Sequence, residues 1–266
     1  MCAAARAAHL LVDGTPPILA DAQASALCRT MPSSPLDFQL SAPDEPVLAS
    51  ARLSAVARSR YAEDRLRTSD LMRHIVLGAG LDTSAHRAPG GVRTWLVDVP
   101  DVCAWRTSLF RRAGVQDAGV PVAVQLGADP LVPALAEAGV DLDQPAQVSC
   151  LGVVMYLGLE DLAAVLADLR ALRAGSSLVT DHVLPPRNRD AAGRSYAAAL
   201  SGMAGGVGEP WLSTATPEHW AGVLGDAGWD VVESCPEEST LALRSHPLLR
   251  PQRLVQLTHS VRREQE

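Results

Sequence analysis

The stretch His74-Ile-Val-Leu-Gly78-Ala79-Gly80-Leu-Asp82 constrains this chain more than any other, because a run of strand character passes straight into a Gly-X-Gly turn. Glycines at such a turn let the backbone reverse sharply and let a ligand lie against it with no Cβ in the way. Eighteen residues after Gly80, a second apolar run ends at Asp98, followed by Val99. A carboxylate at the end of a second strand is placed to accept hydrogen bonds from two ribose hydroxyls. Gly78, Ala79, Gly80, Asp98 and Val99 therefore predict a nucleoside-binding crevice.

The same residues serve dinucleotide enzymes, and position 83 separates the two cases. A complete dinucleotide fingerprint has a third glycine there, where a helix N-terminus receives a pyrophosphate. This chain has Thr83. The loop suits a nucleoside cofactor lacking a pyrophosphate, of which S-adenosyl-L-methionine is the commonest, and an NAD-dependent oxidoreductase is the alternative.

Around this motif, short apolar runs alternate with longer amphipathic ones. Strands are expected at 74–77, 94–97, 120–124 and 147–151, then at SSLVTDHV, WDVVES and RLVQLTHSV. Helices are expected at 102–113, 131–138, 160–173 (with Gly175 as its C-terminal stop) and from the Thr216-Pro217 cap to about Ala227. This βαβα alternation predicts an α/β fold, a Rossmann-like, doubly wound, seven-stranded and mostly parallel sheet. Ahead of it, residues 1–70 read as an N-terminal helical segment: helices to about residue 30 broken at Pro16-Pro17, a proline- and serine-rich loop at 31–46, and a helix over 47–66. Residues 71–266 form the main domain, with a lid insertion at about 185–213 holding a small helical piece around Tyr196.

A formal net charge of −7 argues against a nucleic-acid partner, whose backbone is bound by an excess of Lys and Arg. The five cysteines stand singly, with no zinc-ligand spacing, and are expected as buried, reduced thiols with no metal site. No apolar run reaches membrane-spanning length and the start lacks a signal-peptide pattern, so the expected location is cytoplasmic, with no membrane partner. The state of assembly is not written in the sequence.

Five segments, in order, carry a more particular signature: AAARAAHLLVDGTPPIL, ARSRYAEDRL, IVLGAGLDTSAHR, GVVMYL and GEPWLS. Together they resemble the leucine carboxyl methyltransferase family and its bacterial relatives, including polyketide O-methyltransferases. The resemblance implies a class I S-adenosylmethionine-dependent methyltransferase that methylates a small-molecule acceptor, at a carboxylate or hydroxyl oxygen, in secondary metabolism. It implies that an Arg ahead of the first strand, Arg58 or preferably Arg60, pairs with the carboxylate of the cofactor's methionine moiety. It places Gln125-Leu126 where the family has an adenine-contacting Asp-Leu pair, and Leu151 where many members carry a Glu for the cofactor's ammonium.

Methyl transfer asks chiefly for alignment, with a base needed only where the acceptor must lose a proton. His182, following the fifth strand, is the candidate base, with Asp181 beside it on the opposite face. Tyr156, Tyr196 and Trp211 are candidate walls of the acceptor pocket. A reading of a different class, a methyltransferase-like binding protein without methyl transfer, is left open by Gln125 and Leu151.

Overall fold

The computed structural model describes residues 1–204, 211–239 and 253–264. Four helices come first: α1 (Cys2–Val12), α2 (Ala22–Arg29), α3 (Pro35–Ser41) and α4 (Pro46–Thr68). The alternating part then runs β1 (Arg73–Leu77), β2 (Arg93–Asp98), α5 (Pro100–Ala113), β3 (Val120–Ala123), α6 (Leu131–Glu137), β4 (Gln147–Cys150), α7 (Leu159–Leu169) and β5 (Ser177–Val183). After it come α8 (Ala191–Ala204), α9 (Pro217–Asp226), β6 (Trp229–Pro236) and β7 (Val255–Arg262).

The strands form one seven-stranded sheet in the order β3-β2-β1-β4-β5-β7-β6. All pairings are parallel except those of β7, which lies antiparallel between β5 and β6. This is the expected doubly wound sheet. Its two faces differ in chemistry. One presents Ile75, Leu77, Val97, Val148, Cys150 and Leu178 to α6, α7 and α9, and this is the main core. Aliphatic side chains make up most of it, each contributing about 1.5–3 kcal/mol on burial, and Trp95, Trp220 and Trp229 fill it with them although aromatics are only 4% of the chain. Helix α7 shows how: Leu162, Val165, Leu166 and Leu169 recur at helical spacing and are all buried.

The other face carries buried polar residues, and α4 crosses it. Their groups are matched in part: His74 Nε2 lies 2.9 Å from Ser149 Oγ, and Gln147 Nε2 donates to the Ala62 carbonyl of α4 at 3.0 Å, while His74 Nδ1 and Gln147 Oε1 have no hydrogen-bond partner among the described residues. Tyr61 and Ala62 pack with Val179 and Leu257. Because β6 runs parallel to β5 and α4 runs against both, α4 meets Glu233 through Tyr61 and Arg65 near its end, and Glu237 through Ser54 nearer its start. Its first half is thereby brought to the carboxyl edge of the sheet.

Three local expectations are corrected. Residues 31–46 are not loop throughout, since α3 forms where Ser34 caps the Leu36 amide at 3.2 Å and Pro35 takes the first helical position. Helix α7 ends at Leu169 rather than Arg173, so Gly175, with φ +83°, belongs to the turn entering β5. The piece around Tyr196 is a full helix of 14 residues. Residues 205–210 of the expected lid, including the first half of GEPWLS, lie outside the described residues. Among the described residues no helix is long and apolar enough to cross a membrane, and no cluster of side chains suits a metal ion.

Candidate functional site

The strand order reverses between β1 and β4, and a crevice opens there beyond the carboxyl ends of the strands, the usual ligand position in such sheets. The glycine turn closes β1. Gly78 (φ +61°) is there for packing, since a Cβ would come within 2.4 Å of Val153 Cγ2. Gly80 (φ +48°) differs: a Cβ there would meet nothing within 4 Å, so its bare face looks into open space. Asp98 holds the turn in place, with Oδ2 accepting from the Gly80 amide at 2.7 Å and Oδ1 from the Val99 amide at 2.8 Å. A carboxylate has about four acceptor positions, so both oxygens keep capacity for a ligand.

The chain beyond the turn decides between the two nucleoside readings. No α-helix starts after Gly80; the backbone makes a 3₁₀ turn, Ser84–His86, and goes on to β2. The helix N-terminus that a pyrophosphate needs is absent from this loop. The N-terminal helices stand beside it instead. Leu81 packs among Ala3, Ala7, Cys28 and Leu36, and Arg6 Nη2 donates to the Leu81 carbonyl at 2.7 Å. Fully buried Asp21 ties the assembly together through Arg6 (2.7 Å), Arg87 (3.0 Å) and the Thr83 hydroxyl (2.7 Å). Thr83 therefore fills the third-glycine position as a structural hydrogen-bond donor. From the other side, Arg106 donates to the carbonyls of Gly80 and Asp82 at 3.0 and 2.6 Å.

At the β4 end of the crevice stands Arg58. Its Nη1 lies 3.1 Å from Asp181 Oδ2 and its Nη2 3.0 Å from Cys2 Sγ, while Asp181 Oδ1 accepts from the Gly152 amide at 2.6 Å. Gly152 (φ +70°) is small enough for the guanidinium to rest on it; a Cβ would come within 3.1 Å of Nη2. Burial alone would lower the pKa of Arg58, but Cys2 and Asp181 outweigh it and raise it. For Cys2, desolvation of the thiol where it lies against Arg58 pushes upward, and Arg58, the N-terminus and Arg6 together bring its pKa below the ordinary thiol value, although the residue as a whole is exposed. Arg60 points elsewhere: it pairs with Asp64 at 2.7 Å on the exposed face of α4.

The remaining candidates separate. Gln125 is exposed and Leu126 half-buried just past β3, beside Asp98, whose carbonyl accepts from Val124 at 2.8 Å. Leu151 packs against Tyr61 and Val179, and the carboxylate in its vicinity comes from Asp181 on the neighbouring strand. Tyr196 is buried in an apolar group with Met155, Val183 and Leu254, and Trp211 packs against it; Tyr156 is exposed. His182 lies on the face of β5 away from Asp181, 1% exposed, its ring 5.6 Å from that of Trp220 in α9. That is the core rather than the crevice, and the reason is strand alternation. Of the cysteines, all free, Cys28 and Cys150 are buried, Cys103 and Cys235 half-buried, and Cys2 exposed, contrary to the expectation of burial throughout. Asp181, Gly152, Asp21 and Cys2 do not stand out as site residues in the sequence; only alternation along β5 points toward Asp181.

A sequence profile of the leucine carboxyl methyltransferase family matches residues 1–170, which includes the glycine turn, Asp98, Arg58 and Gly152. The chain belongs to the leucine carboxyl methyltransferase family. A Frankia alni relative, named as an S-adenosyl-L-methionine-dependent methyltransferase, is 31% identical over 75% of this chain and 69% of its own length. A relative of the same designation from Mycolicibacterium gilvum is 32% identical over 56% of this chain and 51% of its own, so the chain spans about half the length of several relatives it matches. Among solved structures, a protein from Thermobifida fusca described as a methyltransferase superposes with a TM-score of 0.60 at 19% identity, covering 98% of this chain and 94% of that one. At that identity the likeness supports the fold alone, and the fold agrees with membership of the leucine carboxyl methyltransferase family.

Proposed function

We propose that this protein is an S-adenosyl-L-methionine-dependent methyltransferase that methylates an oxygen of a small molecule. The observation that carries the reading is the pairing of two differently charged ends across one crevice. At one end, the open face of Gly80 and the Asp98 carboxylate suit an adenosyl group. At the other, Arg58 and Asp181 offer a cation and an anion side by side, complementary to the carboxylate and ammonium of a methionine moiety. Asp181 thus takes the place left by Leu151, and Gln125 with Leu126 would flank the adenine. When bound, the cofactor supplies an electrophilic methyl on a sulfonium; the residues here bind, orient and exclude water. The names of the relatives support the same reading. The lack of a helix N-terminus after the glycine turn speaks against the NAD-dependent alternative.

Calorimetric titration with S-adenosylhomocysteine tests it. The wild-type protein is expected to bind. Asp98→Ala and Arg58→Lys each remove charge-assisted hydrogen bonds of about 1.5–3 kcal/mol and should weaken binding roughly 10- to 100-fold. Arg60→Ala, on the exposed face, should stay within about twofold. Absence of heat with the wild-type protein, or equal losses at Arg58 and Arg60, would remove the proposal.

A further inference from the structure

The crevice has a direction. Arg58 and Asp181 stand beyond β4 and β5, Asp98 stands at the end of β2, and β3 is the outermost strand beside it. A nucleoside whose ribose meets Asp98 and whose amino-acid arm runs to Arg58 has its base on the remaining side, over the end of β3. Gln125 is the residue found there. The pairing of β2 with β3 runs on to Val124, whose amide donates to the Asp98 carbonyl at 2.8 Å, and Gln125 follows. Its backbone is engaged on both sides: the amide donates to Asp129 Oδ2 at 2.8 Å, and the carbonyl accepts from the amides of Ala128 and Asp129 at 3.1 and 2.9 Å. Gly127 (φ +84°) presses this turn onto α7, since a Cβ there would come within 2.4 Å of Asp161 Cβ. The side chain is the opposite case. It is exposed, and neither end of its amide has a hydrogen-bond partner among the described residues. A fixed turn thus presents one uncommitted primary amide at the base end of the crevice.

We propose that Gln125 reads the purine edge in either of two senses, so that the crevice accepts a 6-oxo purine nucleoside as well as the 6-amino one. This rests on the methyltransferase reading above and adds a specificity at its cofactor end. The reason is the make-up of a primary amide, which carries an acceptor and a donor side by side. Adenine presents a donor at N6 and an acceptor at N1; Oε1 takes from the first and Nε2 gives to the second. Hypoxanthine presents the reverse, an acceptor at O6 and a donor at N1. The same amide meets it after a half-turn about its last torsion. That torsion is broad and two-fold in glutamine, and none of the described residues holds the Gln125 amide in one sense, so the turn costs little. A carboxylate, with acceptors alone, would set one of its lone pairs against a lone pair of either base. The consequence reaches the product. The demethylated cofactor competes for the crevice, and deamination of its base leaves a competitor of similar strength. Relief must come from a reaction that cleaves its thioether or glycosidic bond.

Calorimetric titration of the full chain compares S-adenosylhomocysteine, its 6-oxo analogue S-inosylhomocysteine, and the analogue with hydrogen at purine C6. The first two are expected to bind the wild-type protein within about fivefold of each other. The third, which has lost one of the two hydrogen bonds, should bind at least about threefold more weakly than S-adenosylhomocysteine. Gln125→Leu leaves the backbone bonds of the turn in place and removes the amide. In that variant the first two compounds should weaken together by about threefold or more, and the third should bind as well as they do. Rejection of S-inosylhomocysteine by more than about fivefold in the wild type overturns the proposal, as does a loss of less than about threefold in Gln125→Leu. The two readings fail separately. If S-adenosylhomocysteine does not bind the wild type, the methyltransferase reading falls; if it binds and the 6-oxo analogue does not, only the two-way reading by Gln125 falls.

Discussion

Replacing Asp21 by alanine is expected to cost about 3–5 kcal/mol of folding stability, the range seen when one partner of a buried ion pair is removed. Asp21 is fully buried, more than fifty residues ahead of the glycine turn in the chain, yet it joins the N-terminal helices to that turn. The change would remove the cap on the Ala24 amide, the acceptor of the Thr83 hydroxyl and the counter-charge of Arg6. Arg87 keeps Glu63 at 2.6 Å, so Arg6, itself almost wholly enclosed, bears most of the loss. Urea denaturation measures the cost. Asp21→Asn, which retains the cap and the Thr83 acceptor, should lose roughly half as much. Asp64→Ala, on the exposed face of α4, should lose less than about 1 kcal/mol. Since Arg6 also holds the Leu81 carbonyl, Asp21→Ala should weaken S-adenosylhomocysteine binding as well; unchanged binding would show that the N-terminal helices do not hold the crevice.

The pH dependence of this contribution has a definite sign. Burial pushes the Asp21 pKa up, but Arg6, Arg87 and Thr83 outweigh it and hold the carboxyl below its ordinary value. A depressed carboxyl contributes fully above the unfolded value of about 3.9 and loses that contribution as the pH falls below it, through the folded value. The Asp21 difference should therefore be flat at neutral pH and shrink only in strong acid.

The sheet was largely legible in the sequence because its strands are short apolar runs bounded by glycines, prolines and acids, and the central β1, β4 and β5 bury both faces. Glycine turn and Asp98 were legible for the same local reason. The errors are of two kinds. Thr83 reads as a missing glycine because its reason for being there, Asp21, lies 62 residues away and no local pattern points to it. The choice between Arg58 and Arg60, by contrast, was within reach. Two residues turn a helix by about 200°, so the pair must face opposite ways. Ser54, Arg58, Tyr61, Ala62 and Arg65 recur at helical spacing toward the sheet, whereas Arg60, Asp64 and Arg67 line the water side. Strand alternation likewise separates Asp181 from His182, and it is Asp181 that meets the crevice. Helix α3 was hidden by composition: Ser34 and Pro35 look like loop residues but serve as cap and first turn.

His182→Leu is expected to flatten the acid limb of stability and to leave methyl transfer intact. The imidazole is 1% exposed, and neither ring nitrogen has a hydrogen-bond partner among the described residues; burial lowers its pKa to about 4. Unfolded, the same group titrates near about 6.5. Between these values the unfolded chain binds a proton that the folded one refuses, and stability must fall as the pH drops from about 6.5 to about 4. Below that both states are protonated and the slope vanishes; above about 6.5 neither is. The difference corresponds to about 3 kcal/mol for this residue, and His74, buried and shifted the same way, adds in the same direction. Leucine has a similar size and no proton to gain, so against Trp220 it should hold its place and remove one proton's worth of slope from that window. Denaturation midpoints taken every half pH unit read this directly. The same variant tests the candidate base. A base at His182 predicts a fall in methyl transfer of about 100-fold or more in a His182→Leu variant that is still folded at about pH 8. Enclosure behind Trp220 predicts a change of less than about threefold. A steep loss at His182 with unaltered stability would return the proton to the opposite face of β5 and remove it from the crevice.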